Sequence, residues 1–144
     1  MNIDYNAPLR AKRDILISAP LEKVWSEITK IDRWFEWQTD VTSSKLDGEL
    51  AVGTMFYWKA KGLSIRSTIE VLVPMQSIGW TGKSLGMQAV HIWTFDVRKE
   101  GTHVATEESL SGWFPRILKV FDSHFLEKSL RNSLQVLKAH VEGR

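Results

Sequence analysis

No cysteine occurs anywhere in the 144-residue chain. Disulfides, thiolate metal sites and thiol nucleophiles are excluded together. Long apolar runs are missing as well, since nothing approaches the roughly 20 residues that span a bilayer as a helix. The opening MNIDYNAPLRAKRD lacks the apolar segment of a secretory signal. A cytoplasmic protein with no transmembrane segment is therefore expected. Nor does charge of one sign dominate. Lys and Arg number 19 against 17 Asp and Glu, a formal net charge of +2, and the densest basic cluster is only Arg10, Lys12 and Arg13. That balance gives no footing for a nucleic-acid partner. The 4 histidines show neither HxH nor HExxH spacing, so no metal site is expected. The nucleophile elbow, the P-loop and the dinucleotide fingerprint are absent. The nearest approach, GKSLG at 82 to 86, has the wrong spacing and reads as a turn. No cofactor is expected.

What the chain does hold is tryptophan, 7 in all: Trp25, Trp34, Trp37, Trp58, Trp80, Trp93 and Trp113. With 43% hydrophobic and 25% charged residues the rest of the composition is ordinary for a globular protein, which excludes disorder. No linker, repeat or low-complexity segment divides the chain, so residues 1–144 read as one domain with a polar lead-in at 1–12. An indole is bulky and its N–H wants a partner. So many of them either fill the core or leave it too bulky to close without a cavity.

RDILIS predicts a first strand, with Ile15 and Ile17 alternating against their neighbours. APLEKVWSEITK predicts a helix: Pro20 suits its first turn, Glu22 sits near the positive end of the macrodipole, and Leu21, Val24, Trp25 and Ile28 recur at helical spacing. DRWFEW predicts a second short helix capped by Asp32. From residue 41 to 111 the period becomes that of an antiparallel meander. In FYWKAKGLSIRS, a two-residue loop at Lys61-Gly62 sets Trp58 against Ile65 and Phe56 against Ser67. IEVLVP stops at Pro74, and SIGWTG supplies a further strand bearing Ile78 and Trp80. One long helix is expected from Pro115 to His140, its stripe running through Ile117, Leu118, Phe121, Phe125, Leu130 and Leu134 and on to Leu137 and Val141.

VHIWTFDV, residues 90 to 97, places His91, Trp93, Phe95 and Val97 on one face of a strand. With Glu100-Gly101 as the loop of a hairpin to THVATEESL, Lys99 pairs with Thr102, Val97 with Val104, Phe95 with Thr106, Trp93 with Glu108 and His91 with Leu110. A slip by one residue would expose Val104. Glu108 then shares the aromatic face, diagonal to His91. A histidine and a carboxylate so placed are the kind of pair that moves protons. Equally, two buried polar groups can pair with each other, or with indole N–H groups, for stability alone.

The strings ILISAPLEKVWSEITKIDRWFEWQTDV, GTMFYWKAKG, IEVLVPMQSIGWTG, HIWTF and GTHVATEESLSG, spread over residues 13 to 142, resemble the START-related or SRPBCC superfamily. That group includes polyketide cyclases and dehydrases, the birch-pollen allergen family and small lipid-transfer domains. The resemblance implies an α+β helix-grip fold: a curved antiparallel sheet of about seven strands wrapped around a long C-terminal helix, with two short helices between the first two strands. It also implies a deep apolar cavity for binding, and for transport or sequestration, of a hydrophobic small molecule: a lipid, a polyketide, a steroid-like compound or another aromatic or polycyclic one. Two further functions are compatible with the resemblance. One is a cofactor-independent cyclase or dehydratase with His91 and Glu108 as its catalytic acid/base pair. The other is a protein-interaction module of the chaperone-activator kind. The positions expected to line the cavity are Phe56, Trp58, Ile69, Trp80, His91, Trp93, Phe95, Glu108, Phe121 and Phe125, with Trp34, Trp37 and Trp113 nearer its mouth.

Overall fold

A computed structural model describes residues 1–143. Strand β1 (Leu9–Ile17) leads into helix α1 (Leu21–Thr29) and a 3-10 helix (Ile31–Glu36). The meander follows as β2 (Val41–Leu46), β3 (Met55–Ala60), β4 (Leu63–Val73), β5 (Ser77–Ser84), β6 (Met87–Arg98) and β7 (Gly101–Ser111). Helices α2 (Trp113–Phe121) and α3 (Phe125–Val141) complete the chain. The strands form one antiparallel sheet of seven in the order β1-β7-β6-β5-β4-β3-β2. Helix α3 packs on β1 and β7, and α1 packs on α3 and on β6. This is the helix-grip arrangement that the sequence predicts. Among the described residues no helix is long and apolar enough to cross a membrane.

Local chemistry accounts for the entry into the fold. Pro20 is extended, with ψ at 150°, and its carbonyl accepts the N–H groups of Lys23 and Val24, so it stands just before α1 rather than inside it. Val24, Trp25 and Ile28 then fall on one face and are buried. Asp32 does not cap the 3-10 helix. It lies within that helix, and its carboxylate accepts the N–H of Leu46, tying the helix to β2 at the sheet edge. Strand β1 begins earlier than RDILIS indicates, inside the expected lead-in, because β7 is long enough to pair Leu9 with Leu110 and bury Leu9 and Ala11.

The β3–β4 hairpin matches its predicted register, with Ala60 opposite Leu63, Trp58 opposite Ile65 and Phe56 opposite Ser67. Lys61 and Gly62 both take positive φ, 51° and 78°, as the tight turn of a right-twisted hairpin requires. The β6–β7 hairpin differs from the expectation. Its loop is Lys99-Glu100, not Glu100-Gly101, so Arg98 pairs with Gly101, Phe95 with Val104, Trp93 with Thr106 and His91 with Glu108. Gly101 belongs to the strand because β1 demands it: a Cβ there would lie 2.1 Å from the Ile17 carbonyl oxygen. Every side chain keeps its predicted face, and the partners move by two residues.

The expected single helix from Pro115 to His140 is two helices. Asp122 ends α2, and its side chain accepts the backbone N–H of His124 at 3.1 Å and the Lys128 ammonium at 3.0 Å. A short polar side chain bonding to nearby backbone competes with helix continuation, and the chain turns here. Buried apolar residues fall in two clusters. One joins Ile17, α1, the 3-10 helix and the inner face of β3 to β7 with Leu134, Leu137 and Val141 of α3. The other holds Leu9, Ala11, Leu110, Leu126 and Leu130.

Candidate functional site

Between the two clusters lies a cavity of about 290 Å3. Trp34, Trp80 and Trp93 close it from the first cluster, and Leu110, Leu126 and Leu130 from the second. Its aromatic wall is rigid because the rings brace one another. The Trp34 ring centroid lies 5.4 Å from Phe56, 5.4 Å from Trp58 and 5.3 Å from Trp80. Two of these indoles are also pinned by hydrogen bonds: Trp34 Nε1 donates to the Ile28 carbonyl at 3.0 Å, and Trp58 Nε1 to Ser67 Oγ at 3.0 Å. Edge-to-face and tilted rings at these separations gain energy beyond their burial.

The polar end of the cavity is built by the β6–β7 pairing. His91 is buried, its ring 5.1 Å from Trp80 and 5.5 Å from Trp93. His91 Nε2 lies 2.7 Å from Thr106 Oγ1, and Nδ1 lies 3.3 Å from Glu108 Oε2. The latter distance is that of an ion pair, yet Nδ1 makes no aligned hydrogen bond. Burial decides the charge state. It pushes the His91 imidazole down to about 3 and the Glu108 carboxyl up to about 8, the latter opposed in part by the Lys61 ammonium. At neutral pH the site holds a carboxylic acid beside an uncharged imidazole. If His91 carries its proton on Nε2, donated to Thr106, the lone pair of Nδ1 faces the Glu108 carboxyl.

At another part of the lining, Lys61 reaches from the β3–β4 turn towards α3. Its ammonium lies 4.5 Å from the centre of the Phe125 ring, 3.3 Å from Ser129 Oγ and 3.7 Å from the Asp40 carboxylate.

Of the positions expected to line the cavity, Trp34, Trp58, Trp80, His91, Trp93, Glu108 and Phe125 do so. Phe56 and Ile69 are fully buried behind that wall, as core. Phe95 packs against Trp25, with ring centroids 5.4 Å apart, and Trp37 stacks on His140 at 5.8 Å. Trp113 and Phe121 are 57% and 84% exposed, because the turn at Asp122 takes α2 off the line of α3. Residues not anticipated include Asp40, Lys61, Leu110, Phe114 and Leu118. Leu110 was signalled by its alternation with Glu108 and the other two apolar positions by their i, i+4 spacing. Nothing in the sequence singles out Asp40 or Lys61.

Comparison with known proteins adds the following. The chain resembles a hypothetical protein from Helicobacter pylori at a TM-score of 0.84 and 15% identity, covering 96% of this chain and 91% of that one. It resembles the Zhui aromatase/cyclase from Streptomyces sp. R1128 at a TM-score of 0.79 and 11% identity, over 92% and 93% of the two chains. A START superfamily protein from Mycobacterium smegmatis matches at 0.77 and 10% identity, over 93% and 97%. At these identities the likeness is one of fold. Among curated proteins none matches. The sequence profile described as polyketide cyclase / dehydrase and lipid transport matches residues 8–142, nearly the whole chain, and the protein belongs to that family.

Proposed function

We propose that the protein binds an uncharged hydrophobic small molecule in the cavity between sheet and helices, holding or carrying it. The observation that carries this reading is the cavity itself, apolar on both sides and near the lower end of the roughly 300 to 1,000 Å3 typical of ligand pockets. Side chains do not fill it, which favours a small-molecule role over that of a module acting only through its surface. The neutral state of Glu108 and His91 supports an uncharged ligand, since neither member of the pair offers a charge to an ion seated against it, and the lining's Lys61 ammonium is already 3.7 Å from the Asp40 carboxylate. A ligand oxygen placed there would meet the carboxyl proton of Glu108.

The same pair supports a second reading, a cyclase or dehydratase. A carboxylic acid kept protonated at neutral pH can donate a proton, and an imidazole kept unprotonated can accept one, with their nearest atoms 3.3 Å apart. His91→Gln and Glu108→Gln, made singly, separate the two. Affinity is measured for a panel of aromatic and polycyclic compounds, and turnover on a poly-β-carbonyl substrate. Binding alone predicts altered affinity and no turnover in any form of the protein. If the unaltered protein turns the substrate over and either variant lowers that rate by about 100-fold at unchanged affinity, the enzyme reading replaces it. If no compound of the panel binds, both fail.

A further inference from the structure

Helix α2 has two apolar faces, and one of them is uncovered. Phe114 and Leu118 face the cavity. Trp113, Ile117, Val120 and Phe121, spaced i, i+4, i+7 and i+8, form a separate stripe and are 57%, 46%, 82% and 84% exposed. The tip of the β5–β6 hairpin extends this surface. Leu85 there is 78% exposed, the Trp113 indole lies over the neighbouring Gly86, and the Phe114 N–H donates to the Gly86 carbonyl at 3.1 Å. Single exposed apolar residues are ordinary, but a contiguous group of this kind marks an interaction surface.

The charge around the stripe is of one sign. Arg116 and Lys119 in α2 are exposed, and α2 contains no acidic residue. Neither cation takes part in an ion pair among the described residues. The nearest acid along the chain, Asp122, is already held by Lys128. At about 100° per residue, Arg116 falls beside the apolar stripe and Lys119 beyond it, away from the face that meets the cavity. An apolar stripe rich in aromatics with cations on its flank is the pattern of a helix lying in a membrane interface. Docking a second copy of the chain on the same face would bring like charges together instead.

We infer that α2 and the Leu85 tip dock on the surface of an anionic lipid bilayer, the stripe entering the headgroup boundary and Arg116 and Lys119 meeting lipid phosphates. The inference stands apart from what the cavity holds. It does give the position of α2 a use: the helix that would rest on the bilayer is also a wall of the cavity, so a water-insoluble ligand need not cross bulk water.

The test is flotation of the full chain with vesicles of phosphatidylcholine, with and without a minor fraction of phosphatidylglycerol. The expected result is binding to the anionic vesicles that weakens as salt is raised. The pair Val120→Glu and Phe121→Glu together lowers the bound fraction about tenfold or more, with the melting temperature kept because both side chains are exposed. Arg116→Glu with Lys119→Glu, a second variant that adds no charge to the stripe, loses the preference for phosphatidylglycerol. Failure of the unaltered chain to float with anionic vesicles overturns the inference, as does undiminished flotation of either folded variant. So does a dimer in gel filtration that the Val120 and Phe121 changes dissociate, which would assign this face to a second copy. Cavity binding in the absence of vesicles is unaffected by any of these outcomes, so it is judged separately.

Discussion

Burial shifts Glu108 and His91 in opposite directions, and the two shifts shape stability differently across pH. The folded-state pKa of Glu108 is raised from 4.5 to about 8, so between those values the unfolded chain has released a proton that the folded one keeps. Stability falls as pH rises through that window. The folded-state pKa of His91 is lowered from 6.5 to about 3, so between those values the unfolded chain binds a proton that the folded one refuses. Stability there rises with pH. The windows overlap between pH 4.5 and 6.5, where the two slopes cancel, leaving a decline above pH 6.5 and another below pH 4.5. Glu108→Gln is expected to remove the alkaline decline, up to about 2 kcal/mol between pH 6.5 and 8, measured by urea unfolding at both pH values. An equal loss in the variant and the unaltered protein would show that Glu108 is already ionised at neutral pH. Strand alternation made it legible that these two residues share a face. Their direct opposition was not, because it depends on the hairpin loop.

Hairpins differ in what fixes their register. At β3–β4 the Lys61-Gly62 turn carries the information locally, and the sequence predicts the pairing in full. At β6–β7 a slip of two residues leaves every side chain on its original face, so the hydrophobic pattern is blind to it. What settles it is a neighbour distant in sequence, the close passage of Ile17 over Gly101. Two glycine substitutions test this distinction. Gly62→Ala meets open space and only the positive φ of 78°, with an expected cost of about 1 kcal/mol. Gly101→Ala adds a collision with backbone to its φ of 148° and is expected to cost about 3 kcal/mol or more. Denaturant midpoints give the comparison, and equal costs would show that β1 does not hold the β7 register. The break at Asp122 was hidden for a related reason. The apolar stripe continues at helical spacing from Phe121 to Phe125, so periodicity alone reads one helix, while the side-chain bond from Asp122 to the His124 N–H is short-range chemistry that periodicity does not weigh.

Over the whole molecule, the buried apolar residues form two clusters, and residues of both line the cavity. A molecule seated there would touch both and be coupled to folding. At a free concentration of 100 times its dissociation constant, such a ligand stabilises the folded state by about 2.7 kcal/mol. Thermal unfolding with a saturating polycyclic ligand is expected to show the corresponding rise in melting temperature. Ser133→Phe, which directs a ring from α3 into the cavity, is expected to abolish the rise. A rise that survives this substitution would mean that the compound binds elsewhere. The surplus of tryptophan was legible as either filler or cavity wall, and the structure shows both: Trp25 is core, while Trp34, Trp58, Trp80 and Trp93 line the space.

That division of the indoles has an optical consequence. Four lie against the cavity, with Trp34 within 5.4 Å of both Trp58 and Trp80, whereas Trp113 stands at the surface on α2. An occupant of the interior would alter emission from the first group, and a surface docked on α2 would alter emission from Trp113. Replacing Trp113 alone by Phe would therefore separate a change at the surface of α2 from a change inside the cavity, without any added dye.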